Sequence, residues 1–276
     1  MRTALTIAGS DPSGGAGIQA DLKTFAALGL YGVCAITAIT VQNTLGVEAV
    51  EPLSADLVTG QIEAVAADIA VHATKVGMLA TAAIVEAVAA AIAELDLPLV
   101  VVDPVLVSTS GARLLDADGV HALCLELLPR AHVVTPNIPE AEALAGVRIT
   151  SPDQAREAAR RIHAMGPSAV IVTGGHASQE QGSGIRDQGS TRDVVDLLFD
   201  GRAFHELRVP RVEGRHTHGT GCTSASALAA CLALGHPLPD AAARAQHYVA
   251  GAIANAPAIG HGRGPLDHFW GGILKR

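Results

Sequence analysis

Residues 4–28, ALTIAGSDPSGGAGIQADLKTFAAL, pass from a strand pattern through a tight turn into a helix pattern without a break. The apolar segment Ala4–Ala8 is typical of a buried strand, and a glycine-rich turn over Gly9–Gly17 follows it directly. Small and apolar residues over Ala16–Leu28 predict a helix, and the β-branched segment Val33–Thr40 predicts the next strand. Strand–helix–strand units of this kind build parallel sheets whose helices cover the faces.

The same alternation continues along the chain and predicts one α/β domain over residues 1–276. A β-hairpin is expected over Asp193–Phe199 and Ala203–Val209, turning at Asp200-Gly201, and Ala177–Arg192 reads as an irregular polar loop. The central sheet should be mainly parallel, with helices on both faces. The remaining predicted helices are Leu57–Ala67, Ala82–Leu95, Pro139–Ala145, Gln154–Met165 and most of the chain from Thr223 onward, and the remaining strands are Leu99–Val102, His132–Thr135 and Ala169–Thr173.

The composition argues against several classes of protein. Of the 276 residues, 49% are hydrophobic but only 3% are aromatic, so the core must be aliphatic. A formal net charge of -8 without any Lys/Arg block argues against nucleic-acid binding. The four cysteines form no CxxC pair, which favours free thiols in a reducing compartment, and no apolar run reaches the length of a membrane span. We expect a soluble cytoplasmic protein that binds small molecules.

The segment HTHGTGCTSASAL at residues 216–228 predicts an anion-binding loop. Gly219 and Gly221 flank Thr220, and a run of small residues then opens a helix. Such a loop points several backbone N–H groups and the positive end of a helix dipole at one place. Because this arrangement stabilises a transferring phosphoryl group, a small-molecule kinase is the leading hypothesis.

Cys222 stands at the edge of this loop. A cysteine at a random position is more often a small buried hydrophobe than a catalyst. Near a helix N-terminus, however, the pKa of a thiol falls and its thiolate becomes accessible. We therefore predict that Cys222 is catalytic, beside Gly219, Thr220 and Gly221.

Other candidate site residues follow predicted strands, where open α/β sheets bind their ligands. The turn that begins at Gly9 is neither GxGxxG nor a Walker loop, and Asp21 in the following helix is expected to face the strand ends. Gln42 follows the second predicted strand, and its amide offers both a donor and an acceptor. That pair suits a heterocycle that carries an amino group next to a ring nitrogen.

A second set of residues points to the nucleotide side of the site. Asp103 ends a buried strand, and Thr173 and Gly175 provide a glycine-lined approach to a ligand after another. Asn137 and Glu140 lie three apart at a helix start, which predicts a capping box. Glu140 could equally hold Mg²⁺ through water, and the two roles are compatible.

Five motifs closely resemble those of the hydroxymethylpyrimidine/phosphomethylpyrimidine kinases of thiamine biosynthesis, which belong to the ribokinase-like superfamily. They are AGSDPSGGAGIQADLKTF from Ala8, Gln42-Asn43-Thr44, KVGML at 75–79, Thr135-Pro136-Asn137 and HGTGC at 218–222. The resemblance spans nearly the whole chain and implies a three-layer ribokinase-like fold, use of ATP and Mg²⁺, and a homodimer. It also implies phosphorylation of 4-amino-5-hydroxymethyl-2-methylpyrimidine to the monophosphate and then to the diphosphate.

The resemblance further implies roles for individual residues. Gln42 should recognise the pyrimidine, with Asp21 and Met78 lining its pocket beside the turn at Gly9. Cys222 stands where most ribokinase-like enzymes keep a catalytic aspartate, and it should accept the hydroxymethyl proton. The stretch 219–221 should form the anion hole, and Glu140 should belong to the metal and phosphate network.

Two positions depart from the family pattern. Thr173 and Thr109 occupy positions where members often carry lysine, and each replacement removes a cation that could neutralise phosphate charge. Lys23, Lys75 or arginines of the polar loop are the candidates to supply that charge. The efficiency of the second phosphorylation is therefore open.

Three other functions remain as alternatives. A pyridoxal kinase of the same superfamily would also phosphorylate a hydroxymethyl group, but pyridoxal has no amino group to meet the carbonyl of Gln42. A non-catalytic binding protein for a vitamin precursor would not need the intact loop 219–222 and Glu140. A dinucleotide-dependent oxidoreductase is remote, because the loop at 219–224 lacks the third glycine of GxGxxG.

Overall fold

The structure is a computed structural model that describes residues 1–108, Gly111, 113–174, 193–212, Gly214 and 216–271. The described strands form one nine-stranded sheet in the order β3-β2-β1-β4-β5-β6-β7-β8-β9. The strands are β1 (Thr3–Ser10), β2 (Tyr31–Gln42), β3 (Val47–Pro52), β4 (Ala73–Val76), β5 (Val100–Val102), β6 (Val133–Val134), β7 (Ala169–Val172), β8 (Asp193–Phe199) and β9 (Phe204–Pro210).

The helices of the described chain lie between these strands and after them. They are α1 (Gly17–Ala27), α2 (Ala55–Asp68), α3 (Ala82–Glu94), α4 (Ala117–Ala122), α5 (Ile138–Ala145), α6 (Pro152–His163), α7 (Thr220–Ala233) and α8 (Leu238–Ala254). Helix α4 continues into a π-helical turn at Leu123–Leu127 and a 3-10 turn at Leu128–Arg130. None of the described helices has both the length and the apolar character needed to cross a membrane.

The sheet is mainly parallel, as predicted. Six neighbouring strands of the sheet pair in parallel, in the order β2-β1-β4-β5-β6-β7. Strands β3, β8 and β9 add antiparallel strands at the edges. The chain adds β2 on one side of β1 and β4 on the other, so the order of strands reverses at β1 and β4. In open α/β sheets, ligands bind at the carboxyl ends of the strands where this reversal occurs.

Helices cover both faces of the sheet, and β5 shows how the sequence produces this. Val100 and Val102 join the core under α2, α3, α5 and α6, while Val101 joins the core under α1, α7 and α8. Side chains alternate between the two faces of a strand, so a strand covered on both sides must be apolar at every position. The predicted three layers with helices on both faces are therefore confirmed.

Some elements differ from the sequence-based expectation. The hairpin of β8 and β9 is confirmed, and the carboxylate of Asp200 accepts hydrogen bonds from the backbone N–H groups of Arg202 and Ala203 at its turn. Strands β3 and β4 and helix α4 had no predicted counterpart. Strand β3 is largely exposed at the sheet edge and β4 is only four residues long, so neither carries a clear apolar pattern. The predicted loop Ala177–Arg192 lies outside the described residues.

Candidate active site

A cavity of about 470 Å³ opens at the carboxyl ends of β1 and β4, where the strand order reverses. The turn after β1, the ends of β2 and β4, the loops after β5 and β6 and the start of α7 supply its walls. It thus brings together residues that the sequence places far apart. The predicted site residues on its walls are Gly9, Gln42, Met78, Asp103, Asn137, Glu140, Gly219, Thr220, Gly221 and Cys222.

The N-terminus of helix α7 forms one wall of this cavity. Gly219 is the N-cap and has a φ of 83°, a conformation that favours glycine. A Cβ at Gly219 would collide with the carbonyl oxygen of Gly15, so the two glycine-rich segments pack directly on each other. The first N–H groups of an α-helix have no partner within the helix. The N–H of Thr220 already donates to the carbonyl oxygen of Thr217 at 3.3 Å, so those of Gly221 and Cys222 are the ones suited to binding an anion.

A second cavity of about 380 Å³ lies on the other side of the same helix end. Its walls are largely apolar, and it shares Asn137, Thr220 and Gly221 with the first cavity. The positive end of α7 therefore lies between two ligand-sized spaces, which is the arrangement needed to stabilise a group passing from one to the other. The apolar walls come mainly from Val194, Val209, Pro210, Val212, Val249 and Ile253.

The protonation of Cys222 differs from the expectation. Burial raises the pKa of its thiol to about 12, and the carboxylates of Asp103 and Asp21 add to the rise against the lowering effect of Lys75. The prediction that the helix terminus lowers the pKa of this thiol is therefore wrong. Loss of water around the sulfur outweighs the helix dipole here. The thiol is protonated at neutral pH in the ligand-free protein.

Asp21 does not lie on the wall of the first cavity, contrary to the expectation. Its carboxylate is fully buried beneath α7 and accepts hydrogen bonds from Lys75 Nζ at 2.9 Å, Thr6 Oγ1 at 2.6 Å and Ser226 Oγ at 2.6 Å. Asp21 sits on the inner face of α1, which points to the sheet rather than to the strand ends. Lys75 is held by this ion pair, and Lys23 Nζ donates to the carbonyl of Gly14 at 2.7 Å.

Asp103 and Glu140 place two buried carboxyl groups beside the anion-binding helix end. Burial raises the pKa of Asp103 to about 6. Burial, together with the charge of Asp103, raises the pKa of Glu140 to about 8. Asp103 Oδ2 is buried without a hydrogen-bond partner in the described part of the chain. Two crowded carboxylates with an unused oxygen fit a divalent cation.

The donor set suits Mg²⁺ rather than a cation enclosed entirely by protein. No cluster of three or more His, Cys, Asp or Glu side chains that could hold a metal occurs among the residues that the structure describes. Mg²⁺ commonly keeps several waters and takes only one or two carboxylates together with substrate phosphates. The residues present therefore fit this ion.

The capping box predicted at Asn137 and Glu140 is confirmed. Asn137 N donates to Glu140 Oε2 at 2.9 Å, and Glu140 N donates to Asn137 Oδ1 at 3.0 Å. The Glu140 carboxylate also accepts a hydrogen bond from the backbone N–H of Leu106, and the remaining lone pairs of its two oxygens can meet water or a cation.

The predicted residues at 173–175 are only partly described. Thr173 lies on the wall of the second cavity, and its backbone pairs with Asn137 as an isolated bridge. Gly175 and Thr109 lie outside the described residues. The turn after β7 is held by Asp196, which accepts a hydrogen bond from Gly174 N at 2.7 Å.

Sequence reasoning missed two residues that organise the first cavity. The carboxylate of Asp11 lies 2.8 Å from His218 Nε2, and this histidine also lies 3.2 Å from the Gln42 amide. The residues are separated along the chain by 207 and 176 positions, so no local pattern could reveal the contact. The sequence offered one signal for this contact: His218 directly precedes Gly219 in the predicted anion-binding loop.

Comparison with known proteins identifies the relatives of this chain. The sequence model of the phosphomethylpyrimidine kinase family matches residues 11–267. The hydroxymethylpyrimidine/phosphomethylpyrimidine kinase of Bacillus subtilis is 46% identical over 266 residues, which cover 96% of this chain and 94% of that protein. The thiamine biosynthesis bifunctional protein ThiED of Geobacter sulfurreducens is 48% identical over 96% of this chain, which spans 52% of that longer protein.

A solved kinase shares the fold. The pyridoxal kinase from Staphylococcus aureus, in complex with AMP-PCP and pyridoxal, superimposes with a TM-score of 0.86 at 35% identity. The match covers 99% of this chain and 96% of that one. The α/β fold class predicted from the sequence is thus found in a structure of a related kinase.

Proposed function

The chain belongs to the phosphomethylpyrimidine kinase family, and we propose that it phosphorylates 4-amino-5-hydroxymethyl-2-methylpyrimidine twice with ATP. The first transfer makes the monophosphate at the hydroxymethyl group, and the second converts the monophosphate to the diphosphate. The sharing of the α7 N-terminus by two cavities carries this proposal. We assign the pyrimidine to the first cavity and the nucleotide to the second.

Each cavity has the chemistry for its ligand. The first contains the Gln42 amide, with Met78 and Gly9 as the apolar and backbone surroundings of a ring. The second has apolar walls for a nucleobase, and the polar residues Asn137 and Thr173 also line it. A γ-phosphoryl group moving between them passes the N–H groups of Gly221 and Cys222, which stabilise its charge.

Mg²⁺ would be held by Glu140, through water, and by the free oxygen of Asp103. When bound, it would neutralise charge on the nucleotide phosphates. The protein itself supplies fixed positions for the two reacting groups and a helix end that faces the transferring group.

Cys222 is the proposed acceptor of the hydroxymethyl proton in the first transfer. Its thiol is protonated at neutral pH and lies beside the Asp103 carboxylate. Sγ can therefore take the alcohol proton as its own proton moves to Asp103, and the alkoxide then attacks phosphorus. The acceptor of the second transfer is an ionised phosphate, which has no proton to lose.

The test is phosphate transfer from Mg-ATP to the hydroxymethylpyrimidine, with the monophosphate and diphosphate separated by chromatography. Formation of both products is expected. Formation of the monophosphate alone would withdraw the second step and would point to the missing lysines at Thr109 and Thr173. Absence of both products would contradict the proposal.

A pyridoxal kinase is the second candidate, because the solved pyridoxal kinase from Staphylococcus aureus shares this fold over nearly the whole chain. Pyridoxal offers no amino group to the carbonyl oxygen of Gln42, so we expect it to be the poorer substrate. Parallel assays with pyridoxal decide between the two. Turnover of pyridoxal alone would reverse the assignment.

The apolar surface of the β2–β3 hairpin is the proposed contact of a homodimer. Ile39, Val41 and Leu45 are exposed on this hairpin, and exposed apolar residues grouped on one surface commonly mark an interface. Sedimentation should show a dimer, which Leu45→Glu should weaken.

A cytoplasmic location is also proposed, in keeping with free thiols at Cys34, Cys124, Cys222 and Cys231.

A further inference from the structure

The carboxylate of Asp11 determines which ring nitrogen of His218 carries a proton. Asp11 Oδ1 accepts from the N–H and hydroxyl of Ser13, at 2.8 and 2.7 Å. Asp11 Oδ2 lies 2.8 Å from Ala16 N and 2.8 Å from His218 Nε2. Burial alone would raise the pKa of Asp11, but the hydrogen bonds from His218 and Ser13 lower it to about 2. An ionised carboxylate only accepts, so His218 Nε2 must be the donor.

The Gln42 amide lies between His218 and Thr40. Its Nε2 atom is 3.2 Å from His218 Nε2, and its Oε1 atom is 3.2 Å from Thr40 Oγ1. With the amide in this orientation, an NH₂ group faces the N–H of the histidine, and two donors meet. The single hydroxyl proton of Thr40 is also directed at the carbonyl of Ser10, at 2.8 Å. The shorter contact takes most of that proton, so the Gln42 oxygen receives little of it.

The two orientations of the amide have the same shape, and exchanging its oxygen and nitrogen removes the meeting of two donors at His218. The oxygen then takes the longer arm, at 3.2 Å, of a three-centre hydrogen bond from His218 Nε2, whose shorter arm goes to Asp11 Oδ2 at 2.8 Å. The NH₂ group donates to Thr40 Oγ1, whose proton remains with Ser10. We infer that His218, held by Asp11, is a positioning residue that fixes the Gln42 oxygen on the His218 side and thereby selects substrates with a ring amino group.

This inference rests on the proposed function, in which Gln42 meets the substrate ring in the first cavity. The fixed amide presents one lone pair of its oxygen next to one proton of its nitrogen. A ring with an amino group beside a ring nitrogen matches that pair, with the amino group nearer His218 and the ring nitrogen nearer Thr40. A ring without the amino group leaves the Gln42 oxygen without its donor.

The orientation of the amide can be measured without any substrate. In ¹⁵N-labelled protein, the side-chain NH₂ signals of Gln42 are assigned by their loss in Gln42→Leu. We expect stronger nuclear Overhauser contacts from this NH₂ to the Thr40 methyl group than to the His218 ring protons. The opposite order of intensities would overturn the inference. Because no turnover is needed, this result stands even if the proposed function fails.

Selectivity gives the second test. Values of kcat and KM are compared for the aminopyrimidine and for its analogue with hydrogen in place of the amino group. The unmodified enzyme should favour the amino substrate in kcat/KM by about tenfold or more, the effect of one hydrogen bond to a buried partner. In His218→Leu the amide is free to turn, so the preference should fall to about twofold, mainly through a higher KM for the amino substrate.

His218→Gln is the matched control, since its side-chain NH₂ can donate in place of Nε2 and should keep most of the preference. An unchanged preference in His218→Leu would overturn the inference. So would an equal loss on both substrates, because that is the behaviour of a purely structural residue. If the unmodified enzyme turns over neither pyrimidine, the proposed function fails and the NMR result alone decides the orientation.

Discussion

Lys75 Nζ lies 2.9 Å from Asp21 Oδ2, and neither side chain has any exposed surface. The pair sits beneath helix α7, where Ser226 and Thr6 complete the hydrogen bonds of the carboxylate. Burial would lower the pKa of Lys75, but the negative charge of Asp21 raises it above its ordinary value. The lysine is therefore a fixed positive charge under helix α7, and its removal leaves a buried carboxylate without its opposite charge.

Lys75→Met should destabilise the protein by about 3–5 kcal/mol, the usual cost of breaking a buried ion pair on one side. Lys75→Met combined with Asp21→Asn should lose less, because no buried charge remains. Urea unfolding gives both free energies of unfolding. Arg156→Met, which breaks exposed or partly exposed pairs with Glu206 and Asp153, is the control and should cost about 1 kcal/mol or less. A double variant as unstable as the sum of its single changes would contradict this view.

Gly219→Ala should abolish turnover and lower stability, because the new Cβ would meet the carbonyl oxygen of Gly15 and the backbone has a φ of 83°. Gly29→Ala is the matched control. Gly29 has a φ of 81° but open space where a Cβ would lie, so it should cost only about 1–2 kcal/mol and leave kcat unchanged. The difference between the two variants isolates the packing of the two glycine-rich segments. Equal effects would show that backbone strain alone matters.

Cys222→Ala should slow the first phosphorylation more than the second, because only the hydroxymethyl acceptor has a proton to lose. A loss of about 10²–10⁴-fold is typical when a general base is removed. Single-turnover assays started from the hydroxymethylpyrimidine and from its monophosphate separate the two steps. Cys231→Ala, in the same helix but away from both cavities, is the control. Equal losses on the two steps would rule out the role of Cys222 as a base.

His268 should make the protein less stable in mild acid. Burial lowers the pKa of His268 to about 4 from an ordinary value of 6.5, so this ring stays neutral in the folded chain. Between those values the unfolded chain binds the proton and the folded chain does not, so stability falls as the pH falls. From pH 7 to pH 5 this group should remove about 2 kcal/mol.

The test compares urea unfolding of the native sequence and of His268→Gln at both pH values. Other buried groups shift the pH dependence in the opposite direction. The pKa of Asp196 is raised to about 6 by burial, so its protonation stabilises the folded state as the pH falls. The difference between the two proteins removes such shared effects. If the difference in unfolding free energy does not change with pH, His268 does not titrate as described.

Strong local patterns account for the elements that could be predicted. The strand before Gly9, the helix after Gly17, the β8–β9 hairpin and the capping box at Asn137 all follow from neighbouring residues, and each is present. Strand β4 was missed because its four residues include a lysine. That lysine is buried only because Asp21, on a different element, supplies the opposite charge.

The order of residues along the chain was enough to predict the class of fold, the family and ten of the residues that line the first cavity. The class of fold depends on apolar periodicity and on glycine-rich turns, which are local properties, whereas the family and the residue roles followed from the resemblance of five motifs. Three-dimensional packing decided three things that the sequence did not. It keeps the thiol of Cys222 protonated, and it buries Asp21 against Lys75 instead of on the cavity wall. It also brings His218 into contact with Asp11 and Gln42. Burial and distant charges control all three, and both arise when segments far apart in sequence meet.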